Sequence, residues 1–323
     1  CLGTSLNQLG YDHVFYVKLA SGAVFSSLLS KGNEKIVHRT INHILLDGPS
    51  LRSYRHFPNV GKRKSWAAAD ASKRGIELAK ISQLNDEVYS SIQDDKNWGF
   101  EKNYLNDSEI KFGKELNDWV VQNVLFKVLF PAEFHGQSAV EGAIKLSKEF
   151  NQNIDKVKKI NIFTHEPAIR IIANKENLSN ASDRDHSLEY MVSAALLFGE
   201  LKYEMYGNDF SGLNKIESLR KKIVVSEDSN FTKNYYEFSK RHISNSIEIV
   251  YDNNSTSEKI TIENPIGHPS RREEAIPLLK EKFIRNVQNV LSLEKSMSLW
   301  EQVINLEKDD ELTKFFNILQ DDE

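Results

Sequence analysis

Cysteine is nearly absent from this 323-residue chain. Cys1 is the single thiol, so an internal disulfide is excluded and a reducing compartment is the simple expectation. One thiol also cannot supply the several thiolates that usually hold an iron–sulfur cluster. No apolar run approaches the roughly 18–20 residues needed to span a bilayer. Charge of either sign is not in excess: 42 Lys and Arg face 46 Asp and Glu, a formal net charge of −4. That balance gives no global reason to expect nucleic acid or an anionic membrane as partner. The nine histidines form no HExxH pattern and no Cys–His array, so no metal site is predicted. P-loop, GxGxxG and GxSxG patterns are missing as well. The chain opens "CLGTSLNQLG" without methionine and without the basic-then-apolar pattern of a signal peptide, which leads us to expect the true N-terminus, with any targeting signal, upstream.

What is present is 40 % hydrophobic and 27 % charged residues, an ordinary globular composition with enough chain for a sizeable core. Apolar spacings of three and four predict helices over Leu19–Ser30, Lys35–Leu46 and Ser65–Leu84. Gly32 with Asn33, and Asp47–Ser50, are the expected stops. The polar stretch Asn85–Glu115 predicts long connections around Trp98 and Phe100, and Gln137–Phe150 another helix. From Lys156 the period changes to two. "KVKKINIFTH", "KKIVVSE", "SNSIEIVYD" and "EKITIENP" read as half-buried strands, the last two joined by a "DNNST" turn. Helices are expected at Asp183–Leu201 and Leu213–Lys221, with a return to helix from Ser270. The pattern predicts a large, discontinuous all-α domain (1–130 and 269–323) and a smaller α+β domain with an antiparallel sheet (131–268).

Four stretches carry candidate chemistry. Arg52, Arg55, His56, Lys62, Arg63 and Lys64 stand just before the small-residue helix "SWAAADAS". The charges read either as a solvated basic loop or, with a helix N-terminus behind them, as a place for a polyanion; Trp66 and the alanines favour a closely packed helix. In "FKVLFPAEFHG", Lys127, Glu133 and His135 sit among Phe126, Leu129, Phe130, Pro131 and Phe134, the company of a displaced pKa or of a snorkelling lysine and a capping histidine. His13, between Asp12 and a helix carrying Lys18, reads as structural or catalytic. His268, Arg271 and Arg272 precede a helix with Glu273 and Glu274 in its first turn, charges that capping and surface exposure explain. In "NASDRDHSLEYMVSAALLFG", Ser182 or Asp183 is the expected cap, Ser182 with Asp185 has capping-box spacing, and Leu188, Met191, Val192, Ala195 and Leu196 form one apolar stripe.

"DHVFYVKLASGAV", "DGPSLRSYRHFPNVGKRKSWAAADA", "NVLFKVLFPAEFHGQSAVEGA", "THEPAIRII", "DRDHSLEYMVSAALLFG" and "GHPSRREEAIPLLKEKF" resemble, in this order, the MmgE/PrpD family, and its dehydratase branch in particular. The resemblance runs from Leu6 to about Asn286. It implies a large helical domain that the chain leaves and rejoins, a smaller α+β domain, an active site between them, and a homodimer. The reaction it implies is loss of water from 2-methylcitrate to 2-methyl-cis-aconitate in propionate breakdown, without an iron–sulfur cluster or other cofactor. The place would be the mitochondrial matrix of a eukaryote or the cytoplasm of a bacterium. By position in the motifs, His13, Lys64, Lys127 and His135 match active-site histidines and lysines, with Arg55, His56, Arg63, Ser65 and Glu133 as substrate-binding candidates. Which of them is acid and which base stays open. Ser187 stands where the family usually has cysteine and Ala69 where it has glycine; "GHPSRRE" is less basic than the usual version, and the family draws an aspartate and a histidine from a segment upstream of Cys1. A relative acting on citrate or cis-aconitate, and an inactive remnant, are the alternatives. The substrate partner in the first two readings is a small tricarboxylate.

Overall fold

The computed structural model describes residues 6–56, 58–84, 89, 91–110, 124–150, 154–173, 176–307 and 317. The chain divides into two compact units, Cys1–Leu116 and Asn117–Glu323. Parts of the predicted connection between 85 and 115, and the last residues of the chain, lie outside the described residues.

The first unit is helical: α1 (Val14–Leu29), α2 (Glu34–Asp47), α3 (Arg63–Ile81) and the short α4 (Phe100–Tyr104). Gly32 takes φ +82° and lets the chain turn between α1 and α2, and the Asn33 side chain accepts from Lys35 N to cap α2. Helices α1 and α3 cross where two glycines meet. A Cβ at Gly75 would lie 2.4 Å from Lys18 O and 3.0 Å from Gly22 N, so the crossing admits backbone but no side chain. Ala67, Ala71 and Ala79 are buried along the same face of α3. Trp66 is not: it is 44 % exposed, with the Arg63 guanidinium 4.6 Å from its ring. The alanines pack the helix inward as expected, while the indole stays outside as a platform for a cation. Phe100 is buried and stacks on Phe15 at 5.3 Å, anchoring the polar connection; Trp98 is 86 % exposed.

The second unit is built on four strands, β1 (Val157–Thr164), β2 (Ile223–Glu227), β3 (Asn245–Tyr251) and β4 (Ile260–Ile262). Helices α5 (Gln137–Phe150), α6 (Glu166–Ile172), α7 (Ala181–Arg184), α8 (Leu188–Phe198), α9 (Leu213–Arg220), α10 (Ser229–Tyr236), α11 (Arg272–Val287) and α12 (Leu293–Ile304) accompany them. The sheet order is β2-β1-β3-β4. The sheet is mixed rather than antiparallel: β1 pairs with β2 in parallel, and β3 pairs antiparallel with both β1 and β4. The cause is the long connection from β1 to β2, which carries four helices and so crosses back to start β2 at the same end. The β3–β4 turn is as read, with Asn254 at φ +62°.

The expected helix at 183–201 is two helices. Asn180, not Ser182, caps the first, accepting from Ser182 N and Asp183 N while Asp183 accepts from Asn180 N. Ser187 then caps α8 by accepting from Tyr190 N. Helix α8 has no solvent face: Leu188 through Leu197 are all buried, Glu189 and Ser193 included. It packs against α5 on one side and α9 on another, so the expected single stripe understated its burial.

Candidate active site

Two sets of polar groups stand out, one in each unit. In the first, the short extended segment at Tyr11 bridges to Leu51 and brings the start of α1 against the basic loop. Asp12 is fully buried. Its Oδ2 accepts from Arg55 Nε at 2.6 Å and its Oδ1 from Val14 N at 3.0 Å. Burial alone would raise this carboxyl; hydrogen bonds led by Arg55 outweigh it and hold Asp12 below the usual carboxylate range. Arg55 therefore serves a carboxylate of the protein. His13 Nδ1 lies 3.3 Å from Asp12 Oδ1 and 3.3 Å from Arg52 Nη1. Burial pushes the His13 imidazole down, against the pull of Asp12, so neutral imidazole prevails near pH 7.

Arg52 Nε also donates to the exposed His56 at 3.2 Å. Arg63 and Lys64 occupy the first two positions of α3, and Ser65 Oγ donates to Lys62 O, closing the first turn. Arg63, Lys18 and Arg74 line a cavity of about 90 Å³ with Ser50 and Asp70, room for a few waters or one carboxylate. Thus His13, Arg55 and His56 belong to one hydrogen-bonded group through Asp12 and Arg52, and Arg63 lines the cavity beside α1.

In the second unit the sheet topology makes the site. The C-terminal ends of parallel β1 and β2 lie at one edge, and the start of antiparallel β3 lies there too, Phe163 opposite Ser246. His165 follows β1 directly and is fully buried. His135, in the 3-10 turn Phe134–Gly136 ahead of α5, places Nδ1 2.7 Å from His165 Nε2. Tyr235, on the helix after β2, stacks on the His165 ring at 4.8 Å and 14°, with its centroid 5.6 Å from that of His135. Glu133 caps the turn by accepting from His135 N at 2.7 Å, and Asn245 Nδ2 donates to His135 O at 2.9 Å. Burial drives both imidazoles below their ordinary range, and each ring also feels neighbouring charge: Glu133 and Glu166 raise His135 while Arg170 and His186 lower it. Two histidines in hydrogen-bond contact, both held toward the neutral form, are equipped for proton transfer.

Lys127 lies near this turn in a different role, its ammonium 5.2 Å from the Phe134 ring. Gly267, at φ +103°, holds the segment ahead of Lys127: Phe126 N donates to Gly267 O at 3.0 Å, and a Cβ on Gly267 would lie 2.0 Å from Phe126 O. The basic run after Gly267 is structural, as read. His268 caps by accepting from Ser270 N, and Arg271 pairs with Glu141 and Glu274. A larger open depression of about 400 Å³ between α5 and β4 is lined by Glu141, Lys145 and Arg271, where Glu141 pairs with both cations. Among the described residues no group of three or more His, Cys, Asp and Glu could hold a metal ion, and no helix is long and apolar enough to cross a membrane.

Sequence reading missed His165 and Tyr235. The signal for His165 was its place, directly after a strand and just before a Glu-Pro helix start. Tyr235 had none, because only the parallel β1–β2 pairing brings it to the same sheet end.

The chain as a whole has counterparts in known proteins. The chain is 40 % identical over 289 residues, 88 % of its length and 60 % of the relative's, to the 2-methylcitrate dehydratase of Salmonella typhimurium. It is 41 % identical over 287 residues (88 % and 55 %) to the mitochondrial 2-methylcitrate dehydratase of Yarrowia lipolytica, and 38 % identical over 294 residues (89 % and 57 %) to the probable 2-methylcitrate dehydratase of Saccharomyces cerevisiae. It spans about 60 % or less of the length of these relatives. Residues 1–113 match the MmgE/PrpD N-terminal domain and residues 130–308 the MmgE/PrpD C-terminal domain; with both domain types matched in order along the chain, the protein belongs to the MmgE/PrpD family.

Proposed function

We propose that this protein is a hydro-lyase that removes water from 2-methylcitrate to give 2-methyl-cis-aconitate. The observation that carries the reading is the 40 % identity over 88 % of the chain to a relative named for that activity. The chemistry of the residues supports it. A tricarboxylate needs several cations, which Arg63, Lys64 and Lys127 supply as carboxylate clamps, with Ser65 beside Lys64 at the same helix start. Arg55 and His56 act behind them, through Asp12 and Arg52. Elimination also needs a base for the proton beside a carboxylate and a donor for the leaving hydroxide. His135 and His13, both biased toward neutral imidazole, are the proton-handling groups, and Glu133 orients His135 through its backbone N–H.

The same reading keeps 1–130 and 269–323 as one helical domain and 131–268 as the small one. It makes the enzyme a homodimer of the mitochondrial matrix in a eukaryote or of the cytoplasm in a bacterium.

A spectrophotometric assay for alkene formation tests the activity. Lys64→Ala and His135→Ala are each expected to lower turnover by ~100-fold or more. Wild-type rates in both variants would refute the site. Preferred turnover of citrate would move the reading to another tricarboxylate, and no product from either substrate would refute the enzyme.

A further inference from the structure

The second unit contains a buried histidine that the proposed roles do not use. His165 is fully buried, yet its ring is not a satisfied core filler. Its Nε2 faces His135 Nδ1 at 2.7 Å, and its Nδ1 lies 3.4 Å from Ser244 O and 3.4 Å from Thr164 Oγ1. Those partners are unequal. A carbonyl oxygen only accepts, whereas a hydroxyl rotates to suit either role. If His165 carried its proton on Nε2, the Nδ1 lone pair would face the Ser244 carbonyl lone pairs inside the protein, a repulsion that a Thr164 hydroxyl turned to donate at 3.4 Å offsets only in part. With the proton on Nδ1, the ring donates to Ser244 O and its Nε2 must accept. His135 then has to donate from Nδ1, and its Nε2, which makes no hydrogen bond among the described residues, keeps a lone pair.

We propose that His165 is a positioning residue for His135: Ser244 O sets the His165 tautomer, His165 Nε2 sets that of His135, and His135 Nε2 is thereby held ready to take a proton. Tyr235 completes the device by stacking on His165, which opposes the ring flip that would put a ring carbon where each nitrogen stands. The inference rests on the dehydratase reading for its chemistry. In that step the C–H proton beside a carboxylate passes to His135 Nε2, and the C–H electron pair becomes the new C=C bond. The C–O bond breaks, and the hydroxide leaves as water with a proton from a separate donor. The resulting imidazolium strengthens its Nδ1–H bond to His165, because charge-assisted hydrogen bonds are roughly twice as strong as neutral ones.

Besides His165, the groups that face His135 are Glu133 on its own turn, Glu166 and Arg170 on α6, His186 between α7 and α8, and Tyr235 on α10. None of them is within reach to replace the His165 acceptor at Nδ1 among the described hydrogen bonds.

The test uses ¹⁵N-histidine-labelled full chain, with His135 assigned by its loss in His135→Gln. Proton–nitrogen correlation spectra at pH 8 are expected to show His135 as the Nδ1–H tautomer, and a His135 Nε2–H tautomer in the wild type overturns the proposal. His165→Phe should shift His135 toward the other tautomer and lower kcat roughly 10-fold or more with KM within about twofold. It should also move the acid limb of the kcat/KM profile to lower pH, since the imidazolium loses its acceptor. His165→Gln, whose carbonyl can accept near the same place, should restore most of kcat; a His165→Phe enzyme with wild-type kcat overturns the proposal. If His165→Phe does not fold, the wild-type spectrum and His165→Gln still decide. The spectra read the tautomer without turnover, so an inactive wild type showing the Nδ1–H form would refute the dehydratase reading and leave the positioning intact.

Discussion

Replacing Gly75 with alanine sets two effects of opposite sign against each other. Glycine inside a helix is worse than alanine by about 1 kcal/mol, so propensity alone predicts stabilisation. The new methyl, however, would stand 2.4 Å from Lys18 O, where ordinary contact begins at 3.4 Å. The obstructing atom is backbone, so no rotamer change relieves it. Either α1 and α3 separate by about 1 Å or one of them shifts along the other. Overpacking a close contact costs about 1–3 kcal/mol and occasionally more, and separation would also loosen the buried Ala67, Ala71 and Val14 group. We therefore expect Gly75→Ala to destabilise the first unit by about 1 kcal/mol net. Ala68→Gly, at an exposed position of the same helix, measures the propensity contribution alone and should cost about 1 kcal/mol. Hydrogen exchange read by mass spectrometry on α1 and α3 peptides separates this unit from the other. Protection in Gly75→Ala equal to or above wild type would refute the close-crossing argument. Because His13 and Arg63 stand at the starts of the two helices, turnover should fall along with stability.

Stability should also fall on mild acidification. Burial lowers His135 and His165, so below about pH 6.5 the unfolded chain binds protons that the native pair refuses. The contribution is whole above that pH and is lost as pH falls, by at most about 1.4 kcal/mol per unit for each ring. Urea titrations between pH 7.5 and 5 should show the second unit weakening as pH falls, and His165→Phe should flatten the slope. A flat wild-type profile would refute it; carboxylates such as Asp12 enter only nearer pH 4. Asp12→Asn removes the charge facing Arg55 in a buried pair and should cost about 3 kcal/mol, measured by urea denaturation, while a loss below about 1 kcal/mol would mean the pair is solvated.

The helices and strands of this protein were legible because each has a period, and most ends carry a cap or breaker: Asn33, Gly48 and the Asn254 turn. The errors arose where local spacing left a choice open or where the deciding atom was distant. Ser182 and Asn180 both offer a cap two or three residues away, and local spacing alone does not choose between them. Trp66 looks like core in any composition argument, yet the Gly22–Gly75 contact sets the face α3 turns inward, and the indole lies off it.

The sequence by itself determined the family, the order of elements, and most of the titratable groups worth testing, since these depend on residue types at fixed spacing along the chain. Only the tertiary structure decided that the sheet is mixed, that Arg55 serves Asp12, and that His135 meets His165 across 30 residues. Pairing in a sheet and contact between loops are set by how the whole connection returns, through four helices between β1 and β2, and no local period encodes that return.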